Sequence, residues 1–157
     1  MHTEIERKFL VKDPSFVHQS FQKKYFIQGF LNTDPHRVVR VRVTDTEAFL
    51  TIKGISSENG TSRFEWEKEI SIQEGNQLLQ LCEPGIIEKH RYLIKSNKHI
   101  FEVDVFLGDN KGLIIAEIEL DHENEKFETP NWLGKEVTGE TKYYNSTLSK
   151  TPFTKWA

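Results

Sequence analysis

Charged side chains recur at every second position in one segment after another, and this pattern limits what the chain can fold into. In the first such segment, Glu4, Glu6 and Lys8 occupy the even positions. Ile5 and Phe9 occupy odd positions, so in a β-strand they point to the opposite face. Two carboxylates about 7 Å apart on one face repel by about 2.4 kcal/mol at the effective dielectric of a protein site. That face must therefore be open to water or enclosed around a cation.

Alternating segments separated by turn signals predict a protein made mostly of β-strands. The expected strands are 2–12, 23–33, 37–45, 48–55, 63–72, 86–96, 99–108 and 112–121. Short helices are expected near 14–21, 73–81, 122–127 and 144–150. Because most connections have hairpin character, the strands should form an antiparallel sheet, either closed into a barrel or packed as a sandwich. The length of 157 residues predicts a single domain over 1–157.

The charges are sorted by sign from strand to strand. Acidic pairs fall on the first, fifth, seventh and eighth predicted strands, and basic pairs fall on the third and sixth. An ordinary solvated sheet face, the alternative for any one strand, normally mixes signs because like charges on neighbouring strands repel. Clustered carboxylates without His or Cys suit Mg²⁺, Mn²⁺ or Ca²⁺, and clustered Arg and Lys bind phosphate oxygens. Both sets on the inside of one barrel would form a site for a metal-bound polyphosphate.

Composition excludes several other classes of function and location. The net charge of −3 argues against a protein that binds nucleic acid through bulk charge. Cys82 is the single cysteine, which excludes an intrachain disulfide and a metal cluster of several cysteines. No apolar run suggests a signal peptide or a membrane span, so a reduced cytoplasmic location is the default expectation. The expected partner is a small molecule, and the chain is expected to be a monomer or a homodimer.

The segment Glu4-Ile5-Glu6-Arg7-Lys8 resembles the ExExK signature of the CYTH superfamily, also called the triphosphate tunnel metalloenzymes. Further blocks that resemble the family follow in the family's order. They are Gln28-Gly29-Phe30-Leu31, Arg40-Val41-Arg42, Thr51-Ile52-Lys53-Gly54, Arg63-Phe64-Glu65-Trp66-Glu67, Glu88-Lys89-His90-Arg91-Tyr92, Phe101-Glu102-Val103-Asp104-Val105-Phe106, Ala116-Glu117-Ile118-Glu119 and Gly134-Lys135-Glu136-Val137-Thr138. The resemblance covers residues 2 to about 148, and the chain is similar in size to the short bacterial members.

This resemblance implies an α+β, mostly β fold: an eight-stranded antiparallel closed barrel with a few short helices packed outside and at the C-terminus. The barrel would enclose a charged tunnel that binds a triphosphate and one or two divalent cations, Mg²⁺ or Mn²⁺. The positions that match the family's metal side are Glu4, Glu6, Glu117 and Glu119, joined by Asp104, Glu102, Glu65 and Glu67. The positions that match its phosphate-binding side are Lys8, Arg40, Arg42, Lys53, Lys89, Arg91 and Lys142.

The function expected from the resemblance is hydrolysis of a triphosphate, most simply inorganic triphosphate, to diphosphate and phosphate. Lys89 would be the general base if its surroundings lower its pKa, while Lys8 and Arg91 would neutralise charge on the phosphoryl oxygens. Family members often carry Tyr where this chain has Phe30, so any role of that hydroxyl is missing. The alternatives are a class IV-type adenylate cyclase, a thiamine or nucleoside triphosphatase, and a non-catalytic polyphosphate-binding module.

Overall fold

The computed structural model describes residues 2–156, which form nine β-strands and three short α-helices. The strands are β1 (Thr3–Val11), β2 (Ser20–Asn32), β3 (Val38–Val43), β4 (Ala48–Lys53), β5 (Ser62–Ile70), β6 (Ile87–Ser96), β7 (His99–Phe106), β8 (Ile114–Glu119) and β9 (Leu133–Glu136). The helices are α1 (Phe16–Gln19), α2 (Ile72–Leu79) and α3 (Asn145–Leu148). Single 3₁₀ turns lie at Gly108–Asn110, Thr141–Tyr143 and Phe153–Lys155.

All nine strands belong to one antiparallel sheet that closes on itself. Its order is β5-β4-β3-β2-β6-β7-β8-β1-β9, and β5 also pairs with the beginning of β1, where Glu4 lies opposite Arg63. Further along β1, Glu6–Leu10 pair with β8 on one side, and Phe9 and Val11 pair with β9 on the other. The eight predicted strands and the closed antiparallel sheet are confirmed. The sequence did not predict β9, because its four residues are too few to show an alternating pattern.

The helices follow the sequence expectation less closely. Helix α2 begins after Ser71, whose hydroxyl and the Glu74 carboxylate form a reciprocal capping box. Helix α1 is only four residues long, because the Asp13 carboxylate accepts the Ser15 N–H in a turn and the chain is already extended at Ser20. The helix expected over 122–127 is wrong, since no helix is present in that range. The longest helix in residues 2–156 has eight residues, and none there is long and apolar enough to cross a membrane.

Apolar side chains pack both outside the ring and across one end of it. Outside, α1 and the segment before β9 cover the apolar faces of β1, β6, β7 and β8, with Phe16, Phe101 and Trp132 at the centre. Helix α2 covers β3 and β4 in the same way. A third cluster lies beneath the C-terminal segment and is formed by Phe30, Val38, Ile87, Phe106, Leu113, Ile115, Val137, Tyr143 and Leu148. Because strand positions that face the interior contribute to this cluster, it forms an apolar floor at one end of the tunnel.

Gly85 lies where the C-terminal segment meets the start of β6, and we expect its replacement by alanine to destabilise the fold. Its φ is +101°, and a Cβ there would lie 1.8 Å from the carbonyl oxygen of Ser149. The positive φ and the clash with backbone should together lower the free energy of unfolding by about 2–4 kcal/mol in urea titrations. Gly108→Ala is the matched control, because Gly108 has φ +60° and no atom lies within 4 Å of the position that its Cβ would take. It should lose only about 1 kcal/mol, and equal losses in the two variants would contradict the packing argument.

Candidate functional site

The charged faces of the strands converge on the inside of the ring, where they line a cavity of about 200 Å³. The strand register brings them together, since Lys53 lies opposite Glu65, Thr51 opposite Glu67, and Lys8 opposite Glu117. Most of the predicted site residues line this tunnel: Glu4, Glu6, Lys8, Arg40, Arg42, Lys53, Glu65, Glu67, Lys89, Arg91, Glu102, Glu117 and Glu119. The face defined by Glu4, Glu6 and Lys8 is therefore enclosed and is not an ordinary solvated sheet face.

Two residues of the predicted site do not line the tunnel. Asp104 is on the inner face of β7 but is fully buried, because Lys89 and Arg91 of β6 occupy its carboxylate. Lys142 lies outside the cavity, with its ammonium group 4.8 Å from the ring centroid of Trp156 and 5.2 Å from that of Tyr143. It belongs to the C-terminal segment that covers the apolar floor, so its side chain is directed to aromatic rings instead of the tunnel.

Asp104 anchors the two basic residues of β6. Its carboxylate accepts hydrogen bonds from Lys89 Nζ at 2.7 Å and from Arg91 Nε and Nη2 at 2.7 and 2.9 Å. Burial would raise the pKa of Asp104, but Arg91 and Lys89 hold it below its ordinary value. Arg91 also donates to Glu102 at the tunnel surface, at 3.1 Å. The hydrogen bonds to Asp104 therefore hold Lys89 and Arg91 in fixed positions in the tunnel lining.

Burial, together with the neighbouring cations Arg91 and Arg42, lowers the pKa of Lys89 to about 7. Asp104 acts in the other direction and raises it. Its Nζ donates to Asp104 and, at 3.0 Å, to the amide oxygen of Asn145. A neutral amine has two N–H donors and one lone pair. With both donors occupied, the lone pair of neutral Lys89 is left for a group in the tunnel.

Gln28 and Asn145 connect the basic residues and were not assigned a role from the sequence. Gln28 accepts a hydrogen bond from Arg42 Nε at 3.0 Å and donates to the Asn145 amide oxygen at 2.8 Å. That oxygen also accepts from Lys89. Gln28 carries a weak sequence signal, a polar residue between the inward-facing Phe26 and Phe30, whereas Asn145 comes from a C-terminal segment with no periodicity that would place it.

Arg40 presents an unsatisfied donor to the site. Its Nη2 lies 3.3 Å from the Thr51 hydroxyl and 3.6 Å from a Glu67 carboxylate oxygen, but its buried Nε has no hydrogen-bond partner. Buried guanidinium donors are normally satisfied, and this one belongs to a residue that lines the tunnel, so Arg40 is a candidate ligand for an anion. Arg42 lies beside it, with its guanidinium 4.4 Å from the ring centroid of Phe26.

The part of the tunnel wall formed by β1, β7 and β8 carries more carboxylates than the nearby cations neutralise. Glu6 lies across from Glu119, and Glu117 across from Glu102, on neighbouring strands. Burial, Glu117 and Glu4 raise the pKa of Glu6 well above its ordinary value, and the hydrogen bond between this carboxyl and Glu117 raises it further. Burial would also raise the pKa of Glu117, but Lys8 and the Glu6 hydrogen bond hold it well below the usual range.

These carboxyl oxygens fit a hard divalent cation by their chemistry, because carboxylates that face one another on neighbouring strands repel unless a cation lies between them. Among residues 2–156, no three or more His, Cys, Asp or Glu side chains already converge as a set of ligands for one ion. Part of the reason is that Lys53 occupies the neighbouring carboxylates, with its Nζ 3.1 Å from Glu4 and 3.5 Å from Glu65. Burial would raise the pKa of Glu4, but Lys53 brings it to about 2.

Lys8 and Arg63 are linked to the C-terminal segment through Tyr144. The Lys8 ammonium is 5.0 Å from the Tyr144 ring centroid and the Arg63 guanidinium is 5.6 Å from it. Lys8 Nζ also donates to the carbonyl oxygen of Tyr143 at 3.4 Å. Arg63 lines the tunnel and could have been added to the basic set, since it shares a strand face with Glu65. Tyr144 could not have been found by strand periodicity, because it lies outside the strands.

Comparisons with known proteins agree with this arrangement. The sequence profile of the CYTH domain matches residues 2–154. An inorganic triphosphatase of Acetivibrio thermocellus is 46% identical over 155 residues, which are 98% of this chain and 97% of that protein. An inorganic triphosphatase of Nitrosomonas europaea is 37% identical over 151 residues, covering 94% of this chain and 97% of that protein. The crystal structure of the inorganic triphosphatase NE1496 superposes with a TM-score of 0.65 and 35% identity, over 93% of this chain and 97% of that one.

Proposed function

The chain belongs to the CYTH domain family, and we propose that it hydrolyses inorganic triphosphate to diphosphate and phosphate with the help of a divalent cation. The observation that carries this proposal is the division of the tunnel into a basic wall with an unsatisfied arginine donor and an acidic wall on which the pKa of Glu6 is raised well above its ordinary value. The oxygens of a polyphosphate would accept hydrogen bonds from the basic wall, and its metal ion would bind the carboxylates of the acidic wall. The full-length similarity to two inorganic triphosphatases supports the choice of substrate.

The basic side chains would bind and orient the substrate. Seven of them line the cavity, and they are Lys8, Arg40, Arg42, Lys53, Arg63, Lys89 and Arg91. Arginines can bind two phosphate oxygens at once, and Arg42, which Gln28 holds through its Nε, would do so with its two Nη groups. The cavity of about 200 Å³ is smaller than the roughly 300–1,000 Å³ typical of sites for drug-sized ligands. Its size favours a compact inorganic anion.

The metal would be held on the acidic wall by Glu4, Glu6, Glu117 and Glu119, with Glu65, Glu67 and Glu102 close by. Mg²⁺ and Mn²⁺ are the ions proposed, because both prefer carboxylate oxygens. When bound, such an ion would neutralise charge on the phosphate oxygens. We leave Asp104 out of the metal site and Lys142 out of the phosphate site, since neither lines the tunnel.

Lys89 would act as the general base. In its neutral form its lone pair takes the proton of the attacking water while Asp104 and Asn145 hold the amine in place. The water oxygen bonds to the terminal phosphorus, the bond from that phosphorus to the bridging oxygen breaks, and diphosphate leaves with the electron pair. Arg91 and Lys8 would stabilise the negative charge on the phosphoryl oxygens.

A panel of phosphate-release assays tests the proposal against its alternatives. We expect phosphate and diphosphate from triphosphate with Mg²⁺ or Mn²⁺, and loss of the activity when EDTA removes the metal. Thiamine triphosphate and ATP, tested side by side, would identify an organic triphosphatase if either were the better substrate. Cyclic AMP from ATP would identify a cyclase, and tight triphosphate binding without turnover would identify a binding module. A cytoplasmic location belongs to the same proposal and is tested by localising the tagged protein in cells.

A further inference from the structure

A second cavity lies beside the tunnel at the end that the apolar floor closes. It has a volume of about 420 Å³, and we call it the annex. Its walls are the β2–β3 connection at Thr33 and Pro35, the β4–β5 connection at 55–60, and the C-terminal segment from Gly139 to Lys150. The tunnel and the annex share several wall residues, among them Arg63 and Tyr144. They are therefore neighbouring spaces with a common boundary.

Tyr144 forms part of that boundary. On the tunnel side its ring lies 5.0 Å from the ammonium group of Lys8. Its hydroxyl reaches across to the β4–β5 connection, where it is 3.5 Å from the Ser56 hydroxyl and 3.4 Å from the position a Cβ would take on Gly60. The side chain thus extends from the C-terminal segment to the facing loop, between the tunnel and the annex.

The lining of the annex differs from that of the tunnel. Pro35, Val38 and Ile55 contribute carbon surface, and the remaining wall is rich in serine and threonine hydroxyls. Lys150 is the cation at the far side, where it is already paired with Glu83. The other charged lining residues of the annex are Arg63, at the boundary with the tunnel, and Glu58. Most of the wall is therefore carbon and hydroxyl surface, which suits the ring and sugar of a nucleoside better than additional phosphates.

We propose that Tyr144 is a specificity-determining residue that separates the tunnel from the annex and so restricts the enzyme to inorganic triphosphate. In an organic triphosphate, the organic group is attached at the end opposite the phosphate that water attacks. This group would have to pass through the space of the Tyr144 ring before it reached the annex. This inference rests on the proposed triphosphatase activity, and it adds that the chain contains a closed-off subsite for the organic part of an organic triphosphate.

The test compares triphosphate and ATP as substrates of the wild type, Tyr144→Ala and Tyr144→Phe. Tyr144→Ala should raise the ratio of kcat/KM for ATP to kcat/KM for triphosphate by about tenfold or more, because it joins the two cavities. Loss of the contact with Lys8 should lower activity on triphosphate by only a few-fold. Tyr144→Phe keeps the ring and should leave the ratio at the wild-type value.

A second substitution distinguishes an opened annex from a general loosening of the site. Ile55 lines only the annex and is 54% exposed, so Ile55→Trp should narrow the annex without disturbing the fold. In the Tyr144→Ala background it should reverse the gain for ATP, and alone it should leave the activity on triphosphate unchanged. A gain for ATP that persists in the double variant would overturn the assignment of the annex as the receiving site.

Binding measurements separate this inference from the proposed function. Calorimetry with triphosphate and with ATP gives the ratio of their dissociation constants, which should shift in the same direction as the kinetic ratio in Tyr144→Ala. If the wild type releases phosphate from triphosphate but both ratios stay within twofold of wild type in Tyr144→Ala, the role of Tyr144 is wrong and the proposed function stands. If the wild type has no activity, the proposed function fails, and the binding ratio alone decides the role of Tyr144.

Discussion

Lys89→Ala is expected to lower kcat for triphosphate hydrolysis by about 10²–10⁴-fold, the usual contribution of a general base. The substrate's dissociation constant should change much less, because Arg40, Arg42 and Arg91 remain in the tunnel. The fold should be retained, since Asp104 keeps its two hydrogen bonds from Arg91. Single-turnover kinetics together with equilibrium binding of triphosphate would measure the two effects separately.

Lys89→Arg is the matched control, because it keeps the positive charge but cannot lose its proton at neutral pH. It should bind triphosphate and remain slow. In the wild type, kcat should rise with pH and level off above about 7, because the pKa of Lys89 is about 7 and only the neutral amine accepts a proton. A Lys89→Arg variant with wild-type kcat would rule out Lys89 as the base.

Asp104→Asn is expected to lower the free energy of unfolding by about 3–5 kcal/mol, because it leaves buried cations without their counter-charge. Asp104 and Lys89 are each 1% exposed as side chains, and Arg91 is 9% exposed. The pKa of Asp104 is lowered in the folded state, so its contribution is present above the ordinary aspartate pKa. That contribution is lost as the pH falls through the lowered value. Urea titrations at neutral and acidic pH would measure both effects.

Glu102→Gln serves as the comparison, because Glu102 bonds to the same guanidinium of Arg91 at 3.1 Å but its side chain is 36% exposed. Water screens this pair, so its loss should lower the free energy of unfolding by less than about 1 kcal/mol. Similar losses in Asp104→Asn and Glu102→Gln would show that the stabilisation does not come from burial of the Asp104 ion pairs.

The alternation of charged and apolar residues was enough to predict the strands and the faces that meet inside the ring. A strand has a side-chain period of two, so Arg40 and Arg42, for example, had to share a face whatever their neighbours were. The sorting of signs between strands then indicated a phosphate and metal site. Both conclusions depend on local geometry that the sequence encodes directly.

Only the tertiary structure decided which of these charges reach the cavity and what holds them there. Asp104 and Glu102 share the inward face of β7, yet Asp104 is fully buried by its ion pairs with Lys89 and Arg91 while Glu102 lines the tunnel. Asn145 and Tyr144 enter the site from a C-terminal segment that has no repeating pattern and lies far in sequence from their contacts Lys89 and Lys8. Their positions depend on how that segment packs over the apolar floor at one end of the ring. Such contacts join residues that are distant in sequence, so they leave no periodic signal. The sequence by itself therefore determined the charged interior, and the packing of distant segments decided which charges are buried, what holds them and where the tunnel ends.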